Sequence, residues 1–413
     1  MSHWFHRNVI KATSFVKFDS KMVAEDYEAL KICSDLRESR QRLLELLPDP
    51  NHAPDAVESA LNLYLALLHG FITSLDGGPS KLRGNFLFRW THTLLGSSPE
   101  IQQDTVFEAA NMCCNVALWH MKHAALIAAK DNLDMEEAKD VHKSLRRAAG
   151  VLGAVQKELL PQLRQPGAKA GDLDPRVAAA YLHQCTAEAQ EVTVARAVEL
   201  KHVASLVSAL ANETSKMFTE AAHSLQNVEQ AVKWRKYLEI KSAFYQAYAY
   251  CYYGENLLSL DQCGDAIRAL QESQASYKKA EELCREYGKL KGKGSSARPE
   301  NHPFFRKLGP VVRLMLEKCE RENGFIYHQK VPDDPPELEI KATYGLASPE
   351  EFHLPQPSPL WTPVTYSALD SAGPASAVSG AAAKAEGELP PVNEVKIPDA
   401  TEEPKTESGC TLQ

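Results

Sequence analysis

QCTAEAQEVTVARAVELKHVASLVSALANETSKMF, residues 184–218, decides how this chain is read. It contains neither proline nor glycine and is rich in Ala, Val, Leu and Glu, so it predicts long helix. Its second half sets Val203, Leu206, Val207 and Leu210 three and four residues apart, which makes one apolar stripe. Such a stripe faces a helical core or presents a partner-binding surface, and periodicity alone does not choose between them.

Outward from this stretch the helical signal continues on both sides. Upstream, residues 21–47, 55–75, 99–129 and 135–163 read as helices, separated by Pro48 and Pro50 and by the turn Asp76-Gly77-Gly78-Pro79. In residues 135–163 the positions Val141, Leu145, Ala148, Leu152, Val155 and Leu159 alternate by four and three, so one face is buried. Downstream, helix is expected over 228–287 and 304–323. Only KATSFVKF, residues 11–18, mixes β-branched and aromatic residues in a way that suggests one or two short strands. The fold class is therefore all-α with a small N-terminal β element.

Within residues 250–273, Tyr250, Tyr253, Gly254, Leu257, Ala266, Leu270 and Ser273 fall at the spacings of a tetratricopeptide repeat. There Gly and Ala let two antiparallel helices approach closely. No second good copy follows, so a single helical hairpin is expected rather than a repeat array, with its tyrosines serving to pack it.

The 413 residues suffice for a large core, and a net charge of −8 gives no overall footprint for nucleic acid. No run of eighteen apolar residues exists, and MSHWFHRN lacks a signal-peptide core. The nine scattered cysteines suit free thiols in a reducing compartment, which implies a cytosolic or nuclear protein.

Familiar catalytic and metal chemistry finds little support. His120 and His123 stand near Cys113 and Cys114, but without a CxxC pair and among Trp119, Met121 and Ala124 they read as helix packing. Gly288, Gly292 and Gly294 with Lys293 imitate a phosphate loop, yet the Walker spacing fails and no strand precedes them. No nucleophile elbow or HExxH motif is present. The expectation is no catalytic residue, no metal and no dissociable cofactor.

After Tyr327 prolines accumulate at 332, 335, 336, 355, 357, 359 and 363 among Phe352, Leu360, Trp361 and Tyr366. This pattern predicts an extended segment, 328–370, wrapping a helical body through aromatic anchors. Residues 371–409 have the composition of a disordered linker. The last four residues, Cys410-Thr411-Leu412-Gln413, fit a C-a-a-X prenylation motif, and Gln at the end favours S-farnesylation of Cys410 by farnesyltransferase. Residues 371–413 hold three lysines and seven acids, a balance of −4, so no basic cluster there reinforces a single lipid chain. Weak, reversible membrane attachment follows.

Three stretches carry a family resemblance: Gln190-Glu191-Val192 with the helix after it, the hairpin around residues 248–269, and FIYHQKVP at 325–332. On these the chain resembles the Bro-domain family, the Alix-like helical domains, over residues 1–370. The combination of one such domain with a short tail and a C-a-a-X end resembles the family's stand-alone members. The resemblance implies an elongated, curved, banana-shaped domain. It also implies a concave apolar patch that binds the amphipathic C-terminal helix of charged multivesicular body proteins, the ESCRT-III filament subunits.

Carried over position by position, the patch falls on Thr193, Leu206 and Leu210, with Lys139 set toward the acidic side of the partner helix. Thr193 departs from the family pattern, which has a large aromatic there. The lost contact is worth roughly 1 to 2 kcal/mol where such a ring is buried. Tyr327 matches a tyrosine implicated in kinase-domain binding; as plain packing it would join the last helix to the proline-rich segment. The coiled-coil domain and long proline-rich tail of larger members are missing, so their partners do not transfer. The implied protein is a non-enzymatic adaptor between ESCRT-III and a membrane, endosomal or nuclear-envelope. A prenylated scaffold taking another amphipathic peptide in the same groove is the alternative.

Overall fold

The structure, a computed structural model, describes residues 3–18, 26–130, 133–291, 299–338, 341–342, 344–371 and 387–398. Several helices begin where the sequence supplies an acceptor for the free first-turn amides. Asp26 caps α1 (Tyr27–Leu46), and a proline opens α2 (Pro54–Ile72). Asp104 caps α3 (Thr105–Ala128), and an Asp134/Glu137 capping box opens α4 (Met135–Ala154). Asp174, followed by Pro175, starts α5 (Pro175–Glu199). Then come α6 (Ala204–Ser224), α7 (Val232–Ser259), α8 (Cys263–Lys289), the short α9 (Pro303–Arg306), α10 (Leu308–Glu322) and α11 (Pro363–Ser371).

From α1 to α8 every substantial helix–helix contact joins sequence neighbours. The body is therefore an elongated stack of antiparallel helices. α3 is buried on almost every face along Thr105–Met121 and forms the spine. In the α7–α8 hairpin a Cβ at Gly254 would stand 2.7 Å from Leu270 Cγ, so only glycine permits this approach. Ser273 donates to the Ala247 carbonyl at 2.6 Å across the same interface. The tetratricopeptide-like spacing in the sequence thus describes a real hairpin.

Three expectations need correction. The stretch 184–218 is not continuous helix. Lys201 adopts a left-handed conformation (φ 54°), and His202 N donates to Ala197 O at 3.0 Å, closing α5 with a Schellman-type turn.

The sheet near the N-terminus is a two-stranded antiparallel hairpin of β1 (Phe88–His92) and β2 (Gly96–Gln102), so β2 takes residues 99–102 out of the helix expected over 99–129. Residues 11–18 form no strand; Thr13 makes one isolated bridge to Trp90. Beside that bridge Thr91 N donates to Ala12 O at 2.9 Å and Ser14 N to Arg89 O at 3.4 Å, and a side chain completes the pairing: Lys11 N donates to Asn115 Oδ1 at 2.9 Å and Asn115 Nδ2 returns a bond to Lys11 O at 3.0 Å.

The described part of the proline-rich segment ends in helix α11 rather than staying extended. Its main anchor, Trp361, is 8% exposed, donates from Nε1 to Leu67 O at 2.9 Å and meets Phe71 edge-on at 5.1 Å.

Candidate partner-binding site

The candidate surface sits at the α5–α6 corner, and the Gln190-Glu191-Val192 triplet builds it from below. Glu191, fully buried, accepts from Lys241 Nζ at 2.7 and 2.9 Å and lies 2.8 Å from His3 Nδ1. Lys241 and His3 hold its carboxyl below the usual range against the opposing cost of burial, so it stays ionised. This cluster ties α5 to α7 and to the N-terminal segment. One helical turn earlier, Glu188 pairs with Arg7 at 2.8 Å and accepts from Tyr237 Oη at 2.6 Å. Val192 packs with Val141 and Leu145 of α4.

Gln190 does something different. Its Nε2 donates to Gly345 O at 3.1 Å and its Oε1 accepts from Ala347 N at 2.6 Å. The buried amide thereby clamps the wrapping segment onto the corner as a strand neighbour would. Gly345 (φ 77°) rests on two of the expected patch residues: a Cβ there would lie 3.5 Å from Leu210 Cδ2 and 3.9 Å from Thr193 Cγ2. The same segment continues across α4, where Arg146 Nε donates to Ser348 O at 2.7 Å and Glu350 N donates to Arg146 O at 3.0 Å.

The result is a graded stripe along α6. Val203, the N-cap residue, is 67% exposed, Leu206 is half-buried, and Leu210 is only 2% exposed beneath Gly345. Thr193 is half-buried beside it. The structure therefore brings Thr193 and Leu210 together but closes Leu210 off as core. The open apolar surface instead comprises Leu200, Val203 and the exposed part of Leu206. Tyr344 and Leu346, on either side of the covering glycine, are exposed as well.

Periodicity sets Val203 and Val207 on one stripe and does not tell them apart. Val207 is buried; Val203 is not, because the α5–α6 turn puts it outside the helix proper. The one signal for Tyr344 and Leu346 is the glycine between two large apolar residues in a segment otherwise extended.

Lys139 is exposed on α4, and its ammonium pairs at 2.7 Å with Glu136 of its own helix. Tyr327 lies elsewhere, in the π-type turn Asn323–Tyr327 after α10, and donates to Asp261 Oδ1 at 2.9 Å in the α7–α8 turn. Phe325 and Ile326 beside it are exposed. Cys410 and the C-a-a-X end lie outside the described residues, as does Lys293 of the phosphate-loop lookalike.

His120 is fully buried, its pKa pushed down to about 3 by burial, and the His123 ring nitrogen Nδ1 lies 2.7 Å from Pro50 O. Among the described residues no three His, Cys, Asp or Glu side chains gather as a metal site, and no helix is long and apolar enough to cross a membrane. All eight described cysteines are buried.

Comparison with known proteins places these features in a family. A family model described as BRO1-like domain matches residues 7–363. BRO1 domain-containing protein BROX of Pongo abelii is 52% identical over 374 residues, covering 90% of this chain and 91% of that protein. The protein of the same description from Danio rerio is 48% identical over 416 residues, covering 100% of both. Among solved structures, one described as the basis for endosomal targeting by the Bro1 domain superposes with TM-score 0.66 at 17% identity, covering 90% of this chain and 97% of the other. The ALIX BRO1 CHMP4C complex gives TM-score 0.66 at 19% identity, covering 86% of this chain and 98% of that one. At these identities the structural matches speak for the fold.

Proposed function

The chain belongs to the BRO1-like domain family, and from that premise we propose that it is a non-enzymatic adaptor. Its α5–α6 corner takes the amphipathic C-terminal helix of an ESCRT-III charged multivesicular body protein. The observation that carries this reading is the open apolar edge of Leu200, Val203 and Leu206, continued by Tyr344 and Leu346 on the covering segment. An amphipathic helix buries its apolar face against such an edge at positions three and four apart. The solved complex of the ALIX domain with CHMP4C supports the class of partner. Lys139, exposed on α4, is available to acidic residues of the bound helix.

Thr193 acquires a specific meaning in this reading. A small side chain there lets the Gly345 backbone sit on the corner. Part of the surface that an aromatic residue supplies in the family pattern is then supplied by residues 344–346 of this chain.

The second half of the proposal is a farnesyl group on Cys410 that gives weak attachment of a cytosolic protein to endosomal or nuclear-envelope membrane. A lipid anchor and a modest peptide site, each weak alone, become effective together through raised local concentration. Titrating a labelled C-terminal helix of an ESCRT-III subunit into the purified chain tests the first half, with Leu206→Asp as the probe. Saturable binding that the variant weakens at least tenfold is expected; a folded wild-type chain that binds no such helix overturns it. Mass spectrometry of the C-terminus from cells tests the second, which fails if Cys410 carries no prenyl mass.

A further inference from the structure

Residues 387–398, ELPPVNEVKIP with the preceding glycine, fall inside what composition reads as linker, yet they lie on the body. Leu389 N donates to Ser97 O at 3.0 Å, and Val395 N donates to Pro48 O at 3.0 Å. Val392 packs against the main core, and Ile397 packs against the cluster that includes Phe5, Ala125 and Ala128. Glu394 is the centre of the contact. One carboxylate oxygen accepts from Ile10 N at 2.7 Å, and the other meets Lys122 Nζ at 2.5 Å.

Two properties distinguish this from a tail lying on a surface. First, the Glu394–Lys122 pair is largely enclosed, at 16% and 12% side-chain exposure, so removing the carboxylate would strand an ammonium in a poorly solvated place. Burial pulls the Lys122 pKa down and Glu394 opposes that pull. Second, the segment is built to stay extended. It contains no helix, and Pro390, Pro391 and Pro398 restrict its backbone, which lowers the entropy lost on docking. Beside it a space of about 400 Å³ is walled by Trp4, Phe5, Lys122 and Ala125 and by residues 394–398 themselves.

We propose that the face formed by β2, the α1–α2 turn, the N-terminal segment and α3 is a binding site for an extended, proline-bounded aliphatic peptide with a carboxylate set to meet Lys122 and the Ile10 amide. Its occupant is the chain's own residues 387–398. Pro398, the last described residue, therefore lies beside Phe5 and Ala125 and not at the end of α11. Resting on the lipid-anchor reading above, this sets the reach of the anchor. From Pro398 to Cys410 is 12 residues, at most about 40 Å; from Ser371 it is 39 residues, at most about 130 Å. The docked strap holds the N-terminal face toward the bilayer, and opening the Glu394 contact lengthens the tether roughly threefold.

Hydrogen exchange on the full, unprenylated chain tests the docking without reference to the lipid. In the wild type the amides of Leu389 and Val395 should exchange at least tenfold more slowly than an unstructured peptide of the same sequence. Glu394→Lys and Ile397→Asp, which alter the strap and leave the body untouched, should each remove that protection. A full-length chain with 387–398 replaced by Gly-Ser should bind the synthetic 387–398 peptide, and a Glu394→Gln peptide at least tenfold more weakly. Wild-type residues 387–398 exchanging at the unstructured rate, or Glu394→Lys keeping full protection, overturns the proposal. Protection with an unmodified Cys410 in cells sustains the docking and removes the lipid reading; a prenylated but unprotected tail does the reverse.

Discussion

Val203→Asp separates the fold from the binding surface because its effects on the two have opposite signs. Val203 is the N-cap of α6, is 67% exposed, and makes no side-chain bond to the first-turn amides. Aspartate at such a position accepts from an N2 or N3 amide and places negative charge at the positive end of the helix. The expected gain in stability is about 1 kcal/mol, because little apolar burial is lost. For the partner helix, the same change removes a valine contact and puts a carboxylate into an apolar edge, which should weaken binding at least tenfold.

Leu210→Asp is the counterpart. Leu210 is 2% exposed under Gly345. Deleting a buried leucine side chain costs about 2–5 kcal/mol. Burying an unpaired carboxylate adds several more, a sum comparable with the whole stability of a domain, about 5–15 kcal/mol. Urea unfolding and fluorescence anisotropy with a labelled ESCRT-III C-terminal helix read both variants. A stable Leu210→Asp would refute the covered corner. A Val203→Asp that is stabilised and still binds as wild type would remove the α5–α6 edge as the site.

Three further outcomes follow from the geometry. Lys201→Gly should stabilise the chain by about 1 kcal/mol in urea titration, since a non-glycine residue in the left-handed region is strained and Lys201 sits at φ 54°. Gly70→Ala should destabilise despite alanine's better helix propensity, worth about 1 kcal/mol. Its Cβ would fall 2.3 Å from the Trp361 ring, and partial proteolysis at the loosened proline-rich segment should report the displacement. Acidification below about pH 6.5 should lower stability by about 1.4 kcal/mol per pH unit for each of His6 and His120. Burial holds both folded pKa values near 3, so between 6.5 and 3 only the unfolded chain binds these protons; urea midpoints at pH 7 and pH 5 check the sign.

The helices were legible because their signals are local: apolar spacings of three and four, and the breaks at Pro48, Pro50 and Asp76-Gly77-Gly78-Pro79 between them. The hairpin was legible for the same reason, since Gly254 and Ala266 announce a close approach. The break at Lys201 was not, because a Schellman turn usually shows itself by glycine and this one uses lysine. Residues 88–102 were hidden for a different reason: the β1–β2 pair depends on the N-terminal segment and α3 packing beside it, which no local window contains. The site was half legible. Periodicity found the α6 stripe, but which end is open depends on Gly345, 135 residues beyond Leu210 in sequence.

That long-range cover changes what the Gln190-Glu191-Val192 triplet means. It marks the patch in sequence, yet none of its three side chains is exposed. Each points to a different partner: Gln190 to the wrapping segment, Glu191 to Lys241 and His3, Val192 to α4. The triplet is a junction, and the surface is what the junction holds in place. Replacing Gln190 should therefore disturb the site without touching the partner. Loss of its two bonds to Gly345 and Ala347 frees the cover and exposes Leu210 and Thr193. The apolar edge then widens as Tyr344 and Leu346 leave it. The position of the wrapping segment, more than the helices beneath it, decides the shape of the apolar edge.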